Sequence, residues 1–247
     1  MPDAEAEIAR ASMLDLVPGG FEEVELGGWI ELAAYTDEPG EARIREAFAD
    51  VSTRLIDAGW ADRWREFHRP VRVGGLWIGP PWEQAPSGEN VVVVDPGRAF
   101  GTGAHATTRA CIELLAGLER GALFDAGCGS GVVAVSAVRL GFEPVTAADN
   151  DPVAVEVARE TARRNDVAIA VDEADVLRDT LPTADVIVAN IELAVVEALL
   201  VRHPARTVVT SGYLIGERPR AEGWAVVGEL ELDGWSAHVL VATGGVH

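Results

Sequence analysis

The sequence contains no lysine: its 20 basic residues are all arginine, and 40 acidic residues among 247 leave a formal charge of −20. A phosphate-binding P-loop, whose lysine reaches the phosphates, is therefore excluded. An isoelectric point near 4.5 excludes a surface built to neutralise nucleic-acid phosphates or to dock on an anionic membrane. No direct nucleic acid and no membrane partner is expected, whereas a basic protein would be steered in by such a field. Cysteine is scarce, and Cys111 and Cys128 form neither a disulfide framework nor a metal-ligand spacing. The five histidines, His68, His105, His203, His238 and His247, are scattered outside any His-Glu-x-x-His pattern, so no metal site is expected. No apolar run approaches the ~18 residues of a membrane span. The acidic start, Met1-Pro2-Asp3-Ala4-Glu5-Ala6-Glu7, lacks the basic and apolar regions of a secretory leader. A cytoplasmic monomer is the expectation.

What is present supports a real core, with 48% hydrophobic and 24% charged residues, both ordinary shares for a globular chain. Three segments differ in texture. Residues 1–60 read as a small α+β domain: a helix over Ala4–Leu14, strands Phe21–Leu26 and Trp29–Tyr35 joined at Gly27-Gly28, and a helix over Gly40–Ala58. Residues 61–90, rich in Trp, Pro and Gly (Trp64, Trp77, Pro80-Pro81, Trp82), read as a linker. Residues 91–247 alternate strand and helix. Strands are expected at Val91–Val94, Ala122–Ala126, Pro144–Asp149, Ala168–Val171, Asp185–Asn190, Thr207–Ser211, Trp224–Leu230 and Ser236–Ala242. Helices are expected at Thr107–Leu118, Gly131–Leu140, Pro152–Asn165 and Leu193–Val201. Runs such as Val186-Ile187-Val188-Ala189 suit strands buried on both faces, and Asp233-Gly234 marks an antiparallel closing hairpin. The expected fold is α/β, a doubly wound, mostly parallel seven-stranded sheet with an antiparallel end.

The chemistry-bearing signal is Phe124-Asp125-Ala126-Gly127-Cys128-Gly129-Ser130-Gly131, which follows a strand and opens a helix. Its glycines allow a tight turn and close approach of a ligand to bare backbone. Asp149 stands at the end of the next strand, where a carboxylate grips ribose hydroxyls. The alternative is a plain strand–helix turn, with Asp149 capping the helix that begins at Pro152. The spacing is Gly-x-Gly-x-Gly, and Val132 occupies the place of the dinucleotide fingerprint's third glycine. Together with the antiparallel end, that points to S-adenosylmethionine, an adenosine without phosphates. Glu173-Ala174-Asp175-Val176 is placed to read the adenine edge. Ala189-Asn190-Ile191-Glu192 falls at the carboxyl edge, where open α/β sheets place ligands. There Asn190 accepts a hydrogen bond from an amine, or caps the helix at Leu193.

The stretch Val94-Asp95-Pro96-Gly97-Arg98-Ala99-Phe100-Gly101-Thr102-Gly103-Ala104-His105-Ala106-Thr107-Thr108 closely resembles the signature of the ribosomal protein L11 methyltransferase family. Leu76-Trp77-Ile78-Gly79-Pro80-Pro81-Trp82, the glycine loop, Val188-Ala189-Asn190-Ile191 and Gly234-Trp235-Ser236-Ala237 are similar to that family too, over residues 60–243. The resemblance implies a class I methyltransferase sheet behind a small substrate-recognition domain. It implies an S-adenosylmethionine-dependent N-methyltransferase acting on lysine or N-terminal amino groups of a ribosomal protein. Motifs and resemblance together give the expected cofactor-binding set: Phe100, Gly101, Thr102, Gly103, Thr108, Asp125, Gly127, Gly129, Asp149, Asn150, Asp175 and Asn190. Asn190 and the Ile191 carbonyl are expected to orient a neutral amine. The chain departs from the family at Glu192, where leucine is usual, and this departure bears on the substrate. Glu192 either attracts an ammonium or simply favours the helix dipole. The alternatives are another protein lysine or a small amine as acceptor, or a non-catalytic S-adenosylmethionine-binding module.

Overall fold

The computed structural model describes residues 9, 12–13, 16–17, 22–26, 29–34, 36, 38–48, 50–53, 68–96, 103–202 and 205–243. Backbone contacts divide the chain into two units, Met1–Trp60 and Ala61–His247. In the first, strands β1 (Glu22–Leu26) and β2 (Trp29–Ala33) form an antiparallel hairpin with Leu26 opposite Trp29. Within the helix expected over Ala4–Leu14, the described positions Ala9, Ser12 and Met13 are helical. Helix α1 (Glu38–Ala47) ends within the expected 40–58, and positions 54–58 lie outside the described residues. Arg45 in its last turn donates to the Val51 carbonyl at 3.1 Å and to Thr53 Oγ1 at 2.6 Å. Those bonds tie the following segment back over the helix end, where a cation is favoured.

The second unit holds a seven-stranded sheet. Its strands are β6 (Leu123–Ala126), β7 (Val145–Asp149), β8 (Ala170–Glu173), β9 (Val186–Asn190), β10 (Thr207–Leu214), β11 (Trp224–Leu232) and β12 (Trp235–Ala242). They lie in the order β11-β12-β10-β9-β6-β7-β8. Strands β6 to β10 pair in parallel, and β12 is antiparallel to both β10 and β11. The chain runs outward from β6 through β7 and β8, then resumes on the other side at β9, so the switch point lies between β6 and β9. Helices α2 (Ala106–Ala116), α3 (Val132–Arg139), α4 (Pro152–Arg164) and α5 (Leu193–Arg202) connect the strands.

Alternation along each strand feeds two cores. Leu123, Val186, Val188 and Val209 enter one, while Phe124, Ile187, Ala189 and Val208 enter the other. Apolar residues on both faces are what a helix-covered parallel sheet demands, and each fully buried large side chain contributes about 1.5–3 kcal/mol.

Strand β5 (Asn90–Val93) was expected to open the main alternation. It pairs instead with β4 (Leu76–Gly79), which pairs with β3 (Val71–Val73), as a separate three-stranded sheet. Asn165, at the end of α4, explains its place. Its Oδ1 accepts from the Val93 N–H and its Nδ2 donates to the Val93 carbonyl, both at 2.7 Å. Strand β10 was expected to end at Ser211 but continues to Leu214. Gly212, at φ +104, absorbs a register shift between Thr210 and Tyr213, so the strand passes the expected end through a bulge. Among the described residues no helix is long and apolar enough to cross a membrane.

Candidate active site

The glycine loop grows directly out of the central strand. Every residue of β6 is buried, and the chain then turns so that the Gly127 and Cys128 N–H groups both donate to the Ala148 carbonyl, at 2.9 and 3.0 Å. Gly127, Gly129 and Gly131 all have positive φ. Asp125 lies beneath the loop, 2% exposed, with Oδ2 accepting from the Ala134 N–H at 3.0 Å. Burial pushes its carboxyl up to about 7; the Ala134 bond opposes this and the nearby Asp149 charge adds to it. Burial likewise raises the thiols of Cys111 and Cys128, so both remain protonated and inert.

Asp149 ends β7 and is tied to the loop. Its Oδ2 accepts from the Gly129 N–H at 2.9 Å and its Oδ1 from the Asp151 N–H at 3.0 Å, and each oxygen retains a second lone pair. The capping role open to Asp149 belongs to Asp151, which accepts from Val153 N–H at 2.8 Å to start α4. Asn150 is exposed between them. Asp175 organises the turn after β8: its Oδ1 accepts from Leu177 N–H at 2.9 Å, and its N–H donates to Asp179 Oδ2 at 2.8 Å. The segments 125–132 and 149–151 carry acidic and neutral side chains and no basic one. Such a cradle of bare backbone and carboxylates fits a hydroxylated or cationic ligand without phosphates.

The end of β9 forms the other half. Asn190 is half-buried, and its Nδ2 donates to Thr108 Oγ1 at 3.5 Å. Thr108 is 1% exposed in the first turn of α2. Asn190 caps nothing; α5 begins instead on the Glu192 carbonyl, which accepts from Val195 and Val196 N–H at 3.0 Å each. Ile191 is clamped between two glycines. Its N–H donates to the Ser211 carbonyl at 3.1 Å. A Cβ on Gly127 would lie 2.6 Å from Ile191 Cγ2, and one on Gly212 would strike the Ile191 carbonyl oxygen. Only glycine, at these positive φ values, lets the loop, β9 and β10 close on one residue.

Helix α2 brings the Gly-x-His-x-Thr-Thr stretch to this edge. His105 caps it, accepting from Thr107 N–H at 3.4 Å, and its ring meets that of Trp235 edge-on at 5.2 Å. Arg109 forms an ion pair with Asp233 at the tip of the β11–β12 hairpin. Gly103 is buried, and a Cβ there would lie 2.6 Å from Ile78 Cγ2. The expected ligands Phe100, Gly101 and Thr102 lie outside the described residues.

Sequence reasoning missed the polar lock under β10 and β12. Thr210 Oγ1 and Tyr213 OH lie 2.7 Å apart, Tyr213 OH and His238 Nδ1 2.9 Å, and all three side chains are buried. Burial lowers the His238 pKa, with the Glu229 carboxylate opposing and the Arg218 charge assisting. A neutral His238 accepts from Tyr213 OH, which in turn accepts from Thr210. Ser211 Oγ adds a bond to the Ser236 carbonyl at 2.8 Å. The available signal was the run of polar side chains Thr210, Ser211 and Tyr213 in β10, with Ser236 and His238 in β12.

A parallel sheet with this order, an antiparallel strand inserted beside β10 and a Gly-x-Gly-x-Gly loop without basic side chains at the switch point together define a class I methyltransferase fold. A family model described as ribosomal protein L11 methyltransferase matches residues 30–217. The ribosomal protein L11 methyltransferase of Symbiobacterium thermophilum is 38% identical over 256 residues, covering 93% of this chain and 84% of that protein. That of Pelotomaculum thermopropionicum is 43% identical over 173 residues, covering 67% of this chain and 56% of that protein. The match thus spans just over half of the second relative's length. The crystal structure of ribosomal protein L11 methylase from Lactobacillus delbrueckii subsp. bulgaricus superposes with a TM-score of 0.62 at 27% identity, covering 69% of this chain and 96% of that one. The chain belongs to the ribosomal protein L11 methyltransferase family.

Proposed function

We propose that the chain is an S-adenosylmethionine-dependent N-methyltransferase acting on amino groups, lysine or N-terminal, of ribosomal protein L11. The observation that carries this reading is the joining of two half-sites through Ile191: a Gly-x-Gly-x-Gly loop without basic side chains bonded to Asp149, and an Asn190 held by Thr108. When bound, S-adenosylmethionine supplies an electrophilic methyl on a sulfonium. The loop Gly127–Gly131 and Asp149 hold the adenosine, Asp149 through the ribose hydroxyls. Asp125 supports the loop from beneath, and Asn150 and Asp175 flank the adenine side. Phe100, Gly101, Thr102 and Gly103 hold the methionine end together with Thr108.

Asn190 spends its Nδ2 on Thr108, which leaves Oδ1 to accept an N–H from the incoming amine. The Ile191 carbonyl, which no described hydrogen bond occupies, is the second acceptor. A lysine must arrive neutral, and entry into this half-buried edge lowers its pKa from about 10.4 by desolvation. Fixing the amine in line for displacement is the chain's main contribution, and orientation of this kind is worth up to about 7–11 kcal/mol. The acidic surface steers a basic ribosomal protein toward the site.

The test is transfer of labelled methyl groups to purified L11 and to a host lysate. A single labelled band at L11 is expected; because these 247 residues hold no lysine, label on the enzyme's own band cannot be methyl-lysine. Asn190→Ala should lower turnover far more than cofactor affinity. Label on a different protein would reassign the substrate. Absence of label with cofactor binding intact would overturn the reading.

A further inference from the structure

We infer that the overhanging end of β10, Leu214 and Ile215, together with Glu192, forms a lip that selects the target amine by its neighbour: a lysine flanked by an apolar side chain in a basic protein segment. This rests on the methyl-transfer reading above.

Strand β9 ends at Asn190, opposite Ser211, whereas β10 continues to Leu214. At about 3.3 Å per residue, and with one residue taken up by the bulge at Gly212, the overhang stands roughly 7 Å beyond the end of β9. Along it β10 pairs only with β12, Tyr213 opposite Ser236 and Leu214 opposite Trp235. Of the large apolar side chains exposed among the described residues, Leu214 at 55% and Ile215 at 49% are the pair adjacent in sequence, and they stand at this edge. The other exposed ones, Val153, Val201 and Val227, lie on α4, α5 and β11.

The overhang is held firmly. Leu214 N–H donates to Glu217 Oε2 at 2.7 Å and Ile215 N–H to the Gly234 carbonyl at 3.1 Å. The Thr210–Tyr213–His238 lock lies directly below. A strand end fixed this way presents its apolar side chains without an ordering cost on binding.

Charge beside it names the occupant. Glu192 follows Ile191, whose backbone lies against Gly212. Its side chain is exposed, and only its backbone carbonyl serves α5. Asp233, 66% exposed at the hairpin tip, adds a carboxylate on the Trp235 side, although it is paired to Arg109. A carboxylate next to an apolar step is complementary to an ammonium next to an apolar residue. A small amine would leave the step unused, and a nucleic acid would be repelled.

The test compares two basic peptides identical except for leucine or serine on either side of one lysine, scored by labelled methyl transfer and by fluorescence anisotropy. The wild-type chain should favour the leucine peptide by about tenfold in kcat/KM, the scale on which an apolar contact discriminates. Leu214→Ser with Ile215→Ser should compress that preference to about twofold through KM and peptide Kd, while S-adenosylmethionine still binds by calorimetry, which also reports folding. Val201→Ser, on the exposed end of α5, should keep the preference. Equal rates on both peptides, or a preference that survives the double substitution, would overturn the lip and leave the methyl-transfer reading standing. No methylation of any amine, with cofactor bound, would overturn both.

Discussion

Replacing Asp125 by Asn should flatten the pH dependence of stability. The carboxyl is 2% exposed, accepts one backbone N–H, and has a pKa of about 7 against an ordinary 3.8. A raised pKa means that the folded chain keeps a proton that the unfolded chain has released. The stabilising proton uptake is therefore fully present below the unfolded value and is lost as pH rises through the folded one. Between about pH 5 and about pH 8 the linkage relation gives a loss of about 2.5 kcal/mol from this group. Asn removes the titration while its Oδ1 still accepts from Ala134. His238, whose pKa is lowered, acts with the opposite sign, losing stability as pH falls below its unfolded value; being common to both chains, it cancels in the comparison. Urea unfolding followed by tryptophan fluorescence, without cofactor, is the assay. With a slope of about 2–3 kcal/mol per molar, the wild-type midpoint should fall by roughly 1 M more than the variant's over that range. Parallel midpoints would refute the assignment of a protonated carboxyl beneath the loop.

Other substitutions separate the parts of the site. Gly212→Ala forces a Cβ into the Ile191 carbonyl at φ +104 and should cost about 1–3 kcal/mol, with turnover lost in the folded fraction measured by circular dichroism and label transfer. Tyr213→Phe strands the Thr210 hydroxyl and His238 Nδ1 and should cost about 1–3 kcal/mol, read as a lower urea midpoint. Asp149→Ala frees the Gly129 and Asp151 N–H groups; calorimetry should show cofactor affinity falling at least about tenfold, as for a lost charge-assisted bond.

The sequence makes the main sheet legible because each of its buried strands is a short apolar run between helical segments, and Asp233-Gly234 announces the antiparallel pair. The glycine loop and Asp149 are legible for a related reason: a tight turn needs glycine and the carboxylate must stand at a strand end, so both leave a local mark. What stays hidden is set by distant partners. Nothing around Val91 says that Asn165, on another helix, will hold β5 away from the main sheet. Asp149 reads as a cap for α4 until the Gly129 N–H is seen to claim it and Asp151 is seen to cap the helix. Nothing around Ser211 shows that β10 runs on through Gly212, because the residue packed against that glycine, Ile191, lies elsewhere in the chain.

Those hidden contacts also explain how the two half-sites keep their spacing. Ile191 packs against the glycine loop at Gly127 and against β10 at Gly212 and Ser211, so the loop and β10 cannot shift independently. Asn190 shares that constraint and gains a second from Thr108, which α2 carries and the Arg109–Asp233 pair links to the hairpin. Displacing an amine by an ångström from its line of attack loses much of the rate that orientation supplies. A site assembled from several strand ends and one helix therefore needs a common reference point, and Ile191 is the residue on which the glycine loop, β9 and β10 meet.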